Sequence, residues 1–355
     1  CNFHAFYEML VGVPASDRVA IGLPPKSSGA LSFAYLSTAA SKERDAARDG
    51  SLFVRTREAM EAVGLDLAEQ TGVMRLLVAI LQLGNVSFGS GDEAKIDSAG
   101  TSAASKALVS AADLLGCEAV HLGTGMCSRR LKAGSDWVTT GNTVAQASEV
   151  RHALVKQLYS YLFLWLVQRI NASLARTPTE IAEGAYGGGH GPHIAYVDIF
   201  GFEVFAVNSL EQLCINFANE KLQRLFVGVL FESVHAMYDS EGITVERVEY
   251  ADNKRVVDLI GASPHGLLAM LTEECVFPKG SDTSYLQKVC NSFRRNENFI
   301  EVKTSSTDFG VRHFAGEVTY DVRGFLEKNK DPISQDLQVL IEFSEDPFVA
   351  DLMKT

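Results

Sequence analysis

The chain has 355 residues, 46% hydrophobic and 21% charged, with 32 Lys and Arg against 44 Asp and Glu for a formal net charge of -12. That length holds about two ordinary domains and a sizeable core. The acidic balance argues against general nucleic-acid or acidic-membrane binding. No apolar run approaches the ~20 residues that span a bilayer, so no membrane insertion is expected.

The N-terminal stretch Cys1-Asn2-Phe3-His4-Ala5-Phe6-Tyr7 has no basic start and no small-residue cleavage site, so it does not read as a secretory signal. It has no initiator Met and opens inside an amphipathic helix, with Phe3, Phe6, Tyr7 and Leu10 on one side, so the sequence reads as truncated. Cys1, Cys117, Cys127, Cys214, Cys275 and Cys290 are scattered. None form a close metal-binding pair, and a reducing cytosol is the simplest reading.

The first half reads mostly helical. Residues 73–83 suit a buried helix stopped by Gly84, and Gly89-Ser90-Gly91-Asp92 reads as a surface loop. Leu158 to Val167 reads as part of a buried helix. A long helix is predicted from about Thr143 to Leu174, because Val150, Leu154, Leu158, Tyr161 and Trp165 recur on one face. Gly184 to Gly191 reads as a flexible linker.

After the linker the period changes. Ile194 to Phe200 is a short apolar run with one carboxylate, the pattern of a central strand in a buried, mainly parallel sheet. Ser209 then opens a long helix through a capping box with Gln212, with Leu210, Leu213, Phe217, Leu225 and Val229 supplying apolar positions. Helices are predicted at Asn253 to Ile260 and Gly266 to Cys275, a strand at His313 to Tyr320, and a helix start at Asp331-Pro332. His4, His235 and His313 read as structural, and no His/Cys spacing supports a transition-metal site.

The chemistry concentrates in Asp198-Ile199-Phe200-Gly201-Phe202-Glu203. A carboxylate at the end of a buried strand stands where such sheets bind ligands. Asp198 is suited to hold Mg²⁺ through water. Gly201, lacking Cβ, would let its N–H approach a γ-phosphate. Glu203 would orient the attacking water or pair with an Arg from another loop. On its own Asp-x-x-Gly is common, and a buried strand ending in a turn accounts for it better.

The residues that follow reverse that weighting. Asp198 to Phe226 reads DIFGFEVFAVNSLEQLCINFANEKLQRLF, which closely resembles the switch II segment and relay helix of myosins. Asn2 to Tyr7 resembles the segment shortly after switch I. Leu76 to Val86 resembles a helix end of the upper motor subdomain. Gly266 to Cys275 with Phe277-Pro278-Lys279 resembles the actin-binding helix-loop-helix. His313-Phe314-Ala315-Gly316 and Phe325 to Pro332 resemble the stretch leading towards loop 2. The resemblance covers nearly the whole chain in the family's order. There is no Gly-Lys dipeptide, hence no P-loop, and the Asn-Ser-Ser-Arg pattern of switch I is also missing. In the family both lie before the point where this chain begins.

The resemblance implies a largely helical α/β fragment of a P-loop-type motor, with the switch II strand in a central sheet. Residues 1–190 would form most of the upper actin-facing subdomain, 191–208 switch II, 209–240 the relay helix, and 241–355 the lower actin-binding subdomain. The complete motor would be an actin-activated ATPase using ATP and Mg²⁺ in the cytoplasm, on the cytoskeleton, with light chains on regions outside this chain. The fragment alone would be inactive. The catalytic assignments are Glu203 and Gly201, with nucleotide and Mg²⁺ at Asp198 and Gly201.

For actin, the resemblance implies an apolar tip at Pro264, His265, Leu267, Leu268 and Met270. Asn253-Lys254-Arg255, Lys279 and Arg294-Arg295 are candidate basic contacts to acidic actin. Arg130 to Trp137 resembles an actin-facing loop. Counting back from His152-Ala153-Leu154-Val155-Lys156, which stands for the family's Asp-Ala-Leu-Ala-Lys, places Asp136 at a position that is acidic or phosphorylatable in the family. One rival remains on sequence grounds, and a second is disfavoured by the relay-helix and Phe325 to Pro332 matches. An actin-binding pseudo-motor would differ only outside this chain. An unrelated GTPase-like switch would share only Asp-x-x-Gly.

Overall fold

A computed structural model of the chain describes residues 3–23, 29–37, 44–89, 91, 93–96, 101–133, 136–174, 196–246, 250, 252–277, 279–330 and 335–354. The chain forms two units, residues 1–192 with 332–355, and residues 193–331. The described residues are largely helical, with one two-stranded and one three-stranded sheet, both antiparallel.

In the first unit, α1 (His4–Gly12) buries Phe6, Tyr7, Met9 and Leu10. It packs against α2 (Ala46–Ala62), whose N-cap Asp45 accepts from the N–H groups of Ala47 and Arg48. α3 (Leu67–Asn85) starts on a capping box in which Asp66 Oδ1 accepts from Glu69 N–H at 2.8 Å and Glu69 Oε2 accepts from Asp66 N–H at 2.9 Å. Its apolar run is almost wholly buried. Gly84 does not stop this helix, which continues to Asn85. A Cβ at Gly84 would stand 2.5 Å from Tyr35 Cδ2, so the glycine admits a ring against the helix rather than ending it.

α4 (Ala103–Leu115) ends on Gly116 in the left-handed conformation at φ 61°, which favours glycine. α5 (Ala119–Cys127) leads into the hairpin β1 (Ser128–Ala133) and β2 (Asp136–Gly141), paired from Ser128↔Gly141 to Ala133↔Asp136. α6 (Val144–Leu174) matches the long helix read from the sequence. It buries Ala147, Val150, Leu154, Leu158, Leu162 and Trp165, while Tyr161 is half-buried against the same core. The glycine-rich linker expected at Gly184 to Gly191 lies outside the described residues, as do Ser90 and Asp92 of the expected surface loop.

In the second unit the first expectation fails. Residues 196–200 form no strand and are exposed, and Ile194 lies outside the described residues. A strand exists only where a neighbour completes its ladder, and neither sheet pairs with this segment. α7 (Leu210–Val227) runs into a π-turn at Gly228–Glu232 and then α8 (Ser233–Ser240). Gln212 Oε1 accepts from Ser209 N–H at 2.9 Å, the capping contact expected there. Leu210, Leu213 and Val227 are buried, but Leu225 and Val229 are exposed, so only some of the expected apolar positions are covered.

α9 (Lys254–Gly261), α10 (Leu267–Val276) and α11 (Asp282–Phe293) follow, close to their predicted limits where limits were predicted. The strand predicted at His313–Tyr320 is present from Gly316 onward, while His313 ends the strand before it and a turn separates the two. β3 (Phe299–Glu301), β4 (Asp308–His313) and β5 (Gly316–Asp321) pair in that order, with a two-residue turn at Phe314 and Ala315. Gly316, at φ 144°, supplies a conformation open chiefly to glycine. Leu213, Ile260, Leu267, Leu271, Tyr285, Phe309, Val311, Tyr320 and Phe325 fill the core, with α12 (Phe325–Asn329) closing it.

α13 (Gln335–Glu342) and α14 (Pro347–Leu352) belong to the first unit, not to the 241–355 division drawn from the sequence. Leu337, Ile341, Val349 and Leu352 join its core, and Arg75 pairs with Asp346 at 3.3 Å. The predicted start at Asp331-Pro332 lies outside the described residues.

Candidate functional site

The segment 198–203 is fastened to the start of α7 by side chains of that helix. Asn219 Nδ2 donates to Phe200 C=O at 3.1 Å. Asn216 takes both sides of the Glu203 backbone, its Oδ1 accepting from the Glu203 N–H at 2.8 Å and its Nδ2 donating to the Glu203 C=O at 2.8 Å. Gln212 Nε2 donates to Glu203 Oε2 at 3.3 Å. The spacing of Gln212, Asn216 and Asn219 places the three amides along one helix face. Phe202 packs edge-on against His313 and Phe314, with ring centroids 5.2 and 5.8 Å away.

Below this surface lies a closed polar cluster. Asn216 Nδ2 also donates to Tyr320 Oη at 3.0 Å, Tyr320 Oη meets His313 Nε2 at 2.8 Å, and His313 Nδ1 meets Glu220 Oε1 at 2.9 Å. Asn253, read from the sequence as part of a basic surface patch, is buried instead and donates to Glu220. Burial holds the Tyr320 phenol well above its ordinary range, the Asn216 hydrogen bond pulling the other way. The hydroxyl therefore keeps its proton.

Asp198 and Gly201 are exposed, and a Cβ built on Gly201 meets nothing within 4 Å. This open backbone leaves room for a phosphate, and a single Asp carboxylate is a hard oxygen donor suited to Mg²⁺. One carboxylate is not a complete site, and among the described residues no group of three or more His, Cys, Asp or Glu side chains converges. The residues fit a partial, water-mediated contribution to a Mg²⁺–nucleotide site.

The expected apolar tip needs correction. Leu267 and Met270 are 0% and 7% exposed and belong to the core, because the first turn of α10 faces Tyr285 and its neighbours. Leu268 is half-buried against the same core, while Pro264 and His265 are exposed in the turn before it. The exposed apolar pair stands at the other end of α10: Val276 is 82% and Phe277 64% exposed. Lys279 follows them, also exposed. Sequence reasoning missed this pair, although its signal was present: two apolar residues running past a helix end into Pro278, beyond the last core-facing turn.

Arg295 is exposed and Arg294 pairs with Glu301 at 3.6 Å. Arg255 pairs with Glu297. In the first unit Asp136 is exposed at the start of β2, opposite Ala133 near the hairpin tip. Arg130, on the same hairpin, pairs with Asp336 at 3.3 Å. His152 is engaged inside that unit, Tyr35 Oη meeting its Nδ1 at 2.9 Å and Arg151 Nη2 its Nε2 at 3.0 Å. Burial first, and Arg151 second, push the His152 pKa below its ordinary value.

Comparison with known proteins finds the family that the sequence resembles. The family model for the myosin head (motor domain) matches residues 1–355. The chain is 36% identical over 362 residues to the Myosin IE heavy chain of Dictyostelium discoideum, covering 99% of this chain and 35% of that protein. It is 36% identical over 353 residues to Myosin-5 of Arabidopsis thaliana, with 99% and 22% covered. Myosin-7 of the same plant is 36% identical over 354 residues, with 99% and 19% covered. The chain belongs to the myosin motor-domain family. It spans about a third or less of the length of these curated relatives.

Proposed function

We propose that this chain supplies the nucleotide-sensing switch, the relay helix and actin-gripping surface of an actin-activated ATPase motor of P-loop type. The observation that carries the reading is the clamp of Asn216 on both sides of the Glu203 peptide, which ties a phosphate-facing segment to the first turns of a long helix. Residues 191–208 are switch II and 209–240 the relay helix. Gly201 senses the γ-phosphate through its N–H, Glu203 acts when the site closes, and Asp198 holds Mg²⁺ through water. Movement of the clamped segment is carried along α7.

Actin contacts divide between the two units. Asp136 contributes from the upper subdomain, its negative charge built in rather than added by phosphorylation. In the lower subdomain Pro264, His265 and Leu268 flank the turn before α10, while Lys279, Arg294 and Arg295 provide positive charge. The exposed Val276 and Phe277 take over the apolar role first assigned to Leu267 and Met270.

The test is steady-state turnover by the full-length protein that carries this chain, with and without actin filaments. The reading expects Mg²⁺-dependent ATP hydrolysis stimulated by actin. The chain by itself, having no Gly-Lys phosphate loop, is expected to show no hydrolysis above background. A full-length protein that co-sediments with actin yet never turns over ATP is a pseudo-motor and refutes the enzymatic reading.

A further inference from the structure

We infer that Tyr320 and His313 are positioning residues for hydrolysis, acting through Asn216 on the backbone of Glu203; the inference rests on the reading of 198–203 as the phosphate-sensing segment. The Asn216 amide is completely used. Its oxygen accepts from the Glu203 N–H, one amide hydrogen goes to the Glu203 C=O, and the other to Tyr320 Oη at 3.0 Å. The amide has no donor to spare, and flipping it would set N–H against N–H. Its second amide hydrogen, buried with the rest, therefore depends on the acceptor at Tyr320.

That acceptor is held in turn. Tyr320 has one hydroxyl proton and gives it to His313 Nε2 at 2.8 Å. His313 Nδ1–H then donates to Glu220 Oε1 at 2.9 Å. One assignment of protons satisfies every link, running from Asn216 through Tyr320 and His313 to Glu220. Glu220 is fixed by the Phe314 N–H at 2.9 Å and by Asn253. The side chains of His313 and Glu220 are shut off from solvent. In such surroundings each bond polarises the next, and an unmade one is costly. The chain crosses from hairpin β4–β5 to α7 and ends on the peptide of the residue proposed to act in hydrolysis. Neither Tyr320 nor His313 reaches the open side of Gly201, so their effect is indirect.

Tyr320→Phe isolates the hydroxyl, because the ring and its packing against Phe309 at 5.7 Å remain. In the full-length protein we expect unchanged ATP affinity but a hydrolysis-burst rate constant lowered about tenfold, the factor matching one lost buried hydrogen bond. Hydrogen exchange at the Glu203 amide should quicken about tenfold, while the Val311 and Val318 amides hold. Val318→Ala loosens the same core without touching the chain of bonds, and should leave both the burst and Glu203 exchange in place. Glu203→Ala, run in parallel, separates the two levels of inference. If it abolishes the burst while Tyr320→Phe shows wild-type burst and wild-type Glu203 exchange, the positioning role is overturned alone. If Glu203→Ala itself gives a normal burst, the underlying reading fails and this inference with it. Should Tyr320→Phe not fold, His313→Gln carries the same test with the same two expected readings.

Discussion

Leu267→Ala offers a sharp test of how the helix-loop-helix is divided between core and surface. Leu267 is 0% exposed, and its own carbonyl accepts from Tyr285 Oη at 3.2 Å, so the residue is anchored by backbone and side chain together. Truncation removes buried methyl and methylene groups and leaves a cavity among Leu271, Tyr285 and their neighbours. The cost of such a change is about 2–5 kcal/mol. Set against a typical domain stability of about 5–15 kcal/mol, that is a large fraction. The assay is hydrogen exchange of the β4–β5 amides in the full-length protein. A loss of about 2 kcal/mol raises their exchange through unfolding by roughly 30-fold. At a temperature where the variant remains folded, it should bind actin filaments like wild type. Unchanged exchange combined with weakened binding at every salt concentration would show Leu267 to be a surface contact, and would refute the reasoning.

Phe277→Ala should show the opposite pattern, leaving stability intact and weakening co-sedimentation with actin at both low and high salt, since burying such a side chain contributes about 1.5–3 kcal/mol. Arg295→Ala should weaken binding only at low salt and mainly through the on-rate, because exposed charge pairs contribute about 0–1 kcal/mol and are screened within about 10 Å at 0.1 M salt. Gly84→Ala should destabilise the first unit by about 1–3 kcal/mol, as the new Cβ meets the Tyr35 ring; calorimetry of the variant checks it. His152 should make that unit acid-sensitive. Its folded-state pKa is lowered by burial and Arg151, so the unfolded chain binds more protons just below the ordinary value of about 6.5. The stabilisation is present above that pH and is lost as pH falls through the lower folded value, with Glu149 opposing and Lys156 reinforcing the shift. Melting curves from pH 8 to pH 5 should show a slope that His152→Gln removes.

Local signals were the most legible in the sequence. The Ser209–Gln212 pair announced the start of α7, and the spacing of Val150, Leu154, Leu158 and Trp165 fixed α6 nearly to the residue, because both depend on neighbours a turn away. What depends on distant parts of the chain was read less well. Gly84 looked like a helix stop, but its conformational freedom goes unused and its small size admits Tyr35. The alternation read over His313 to Tyr320 belongs to the strand that starts at Gly316, and only that glycine betrays the turn before it. Leu267 and Phe277 are both apolar, so hydropathy could not tell which one faces the core. Asp198, Gly201 and Glu203 were found through a motif, whereas Asn216, Tyr320 and His313 lie far apart in the sequence and converge only in the fold.

The central claim is that Glu203 acts in hydrolysis while nucleotide binding rests mainly elsewhere. Single-turnover quench-flow on the full-length protein carrying Glu203→Ala measures this directly. The account predicts that ATP still binds with near wild-type affinity while the hydrolysis burst is severely slowed, the mark of an interaction made only as the site closes. A normal burst in the folded variant would contradict it.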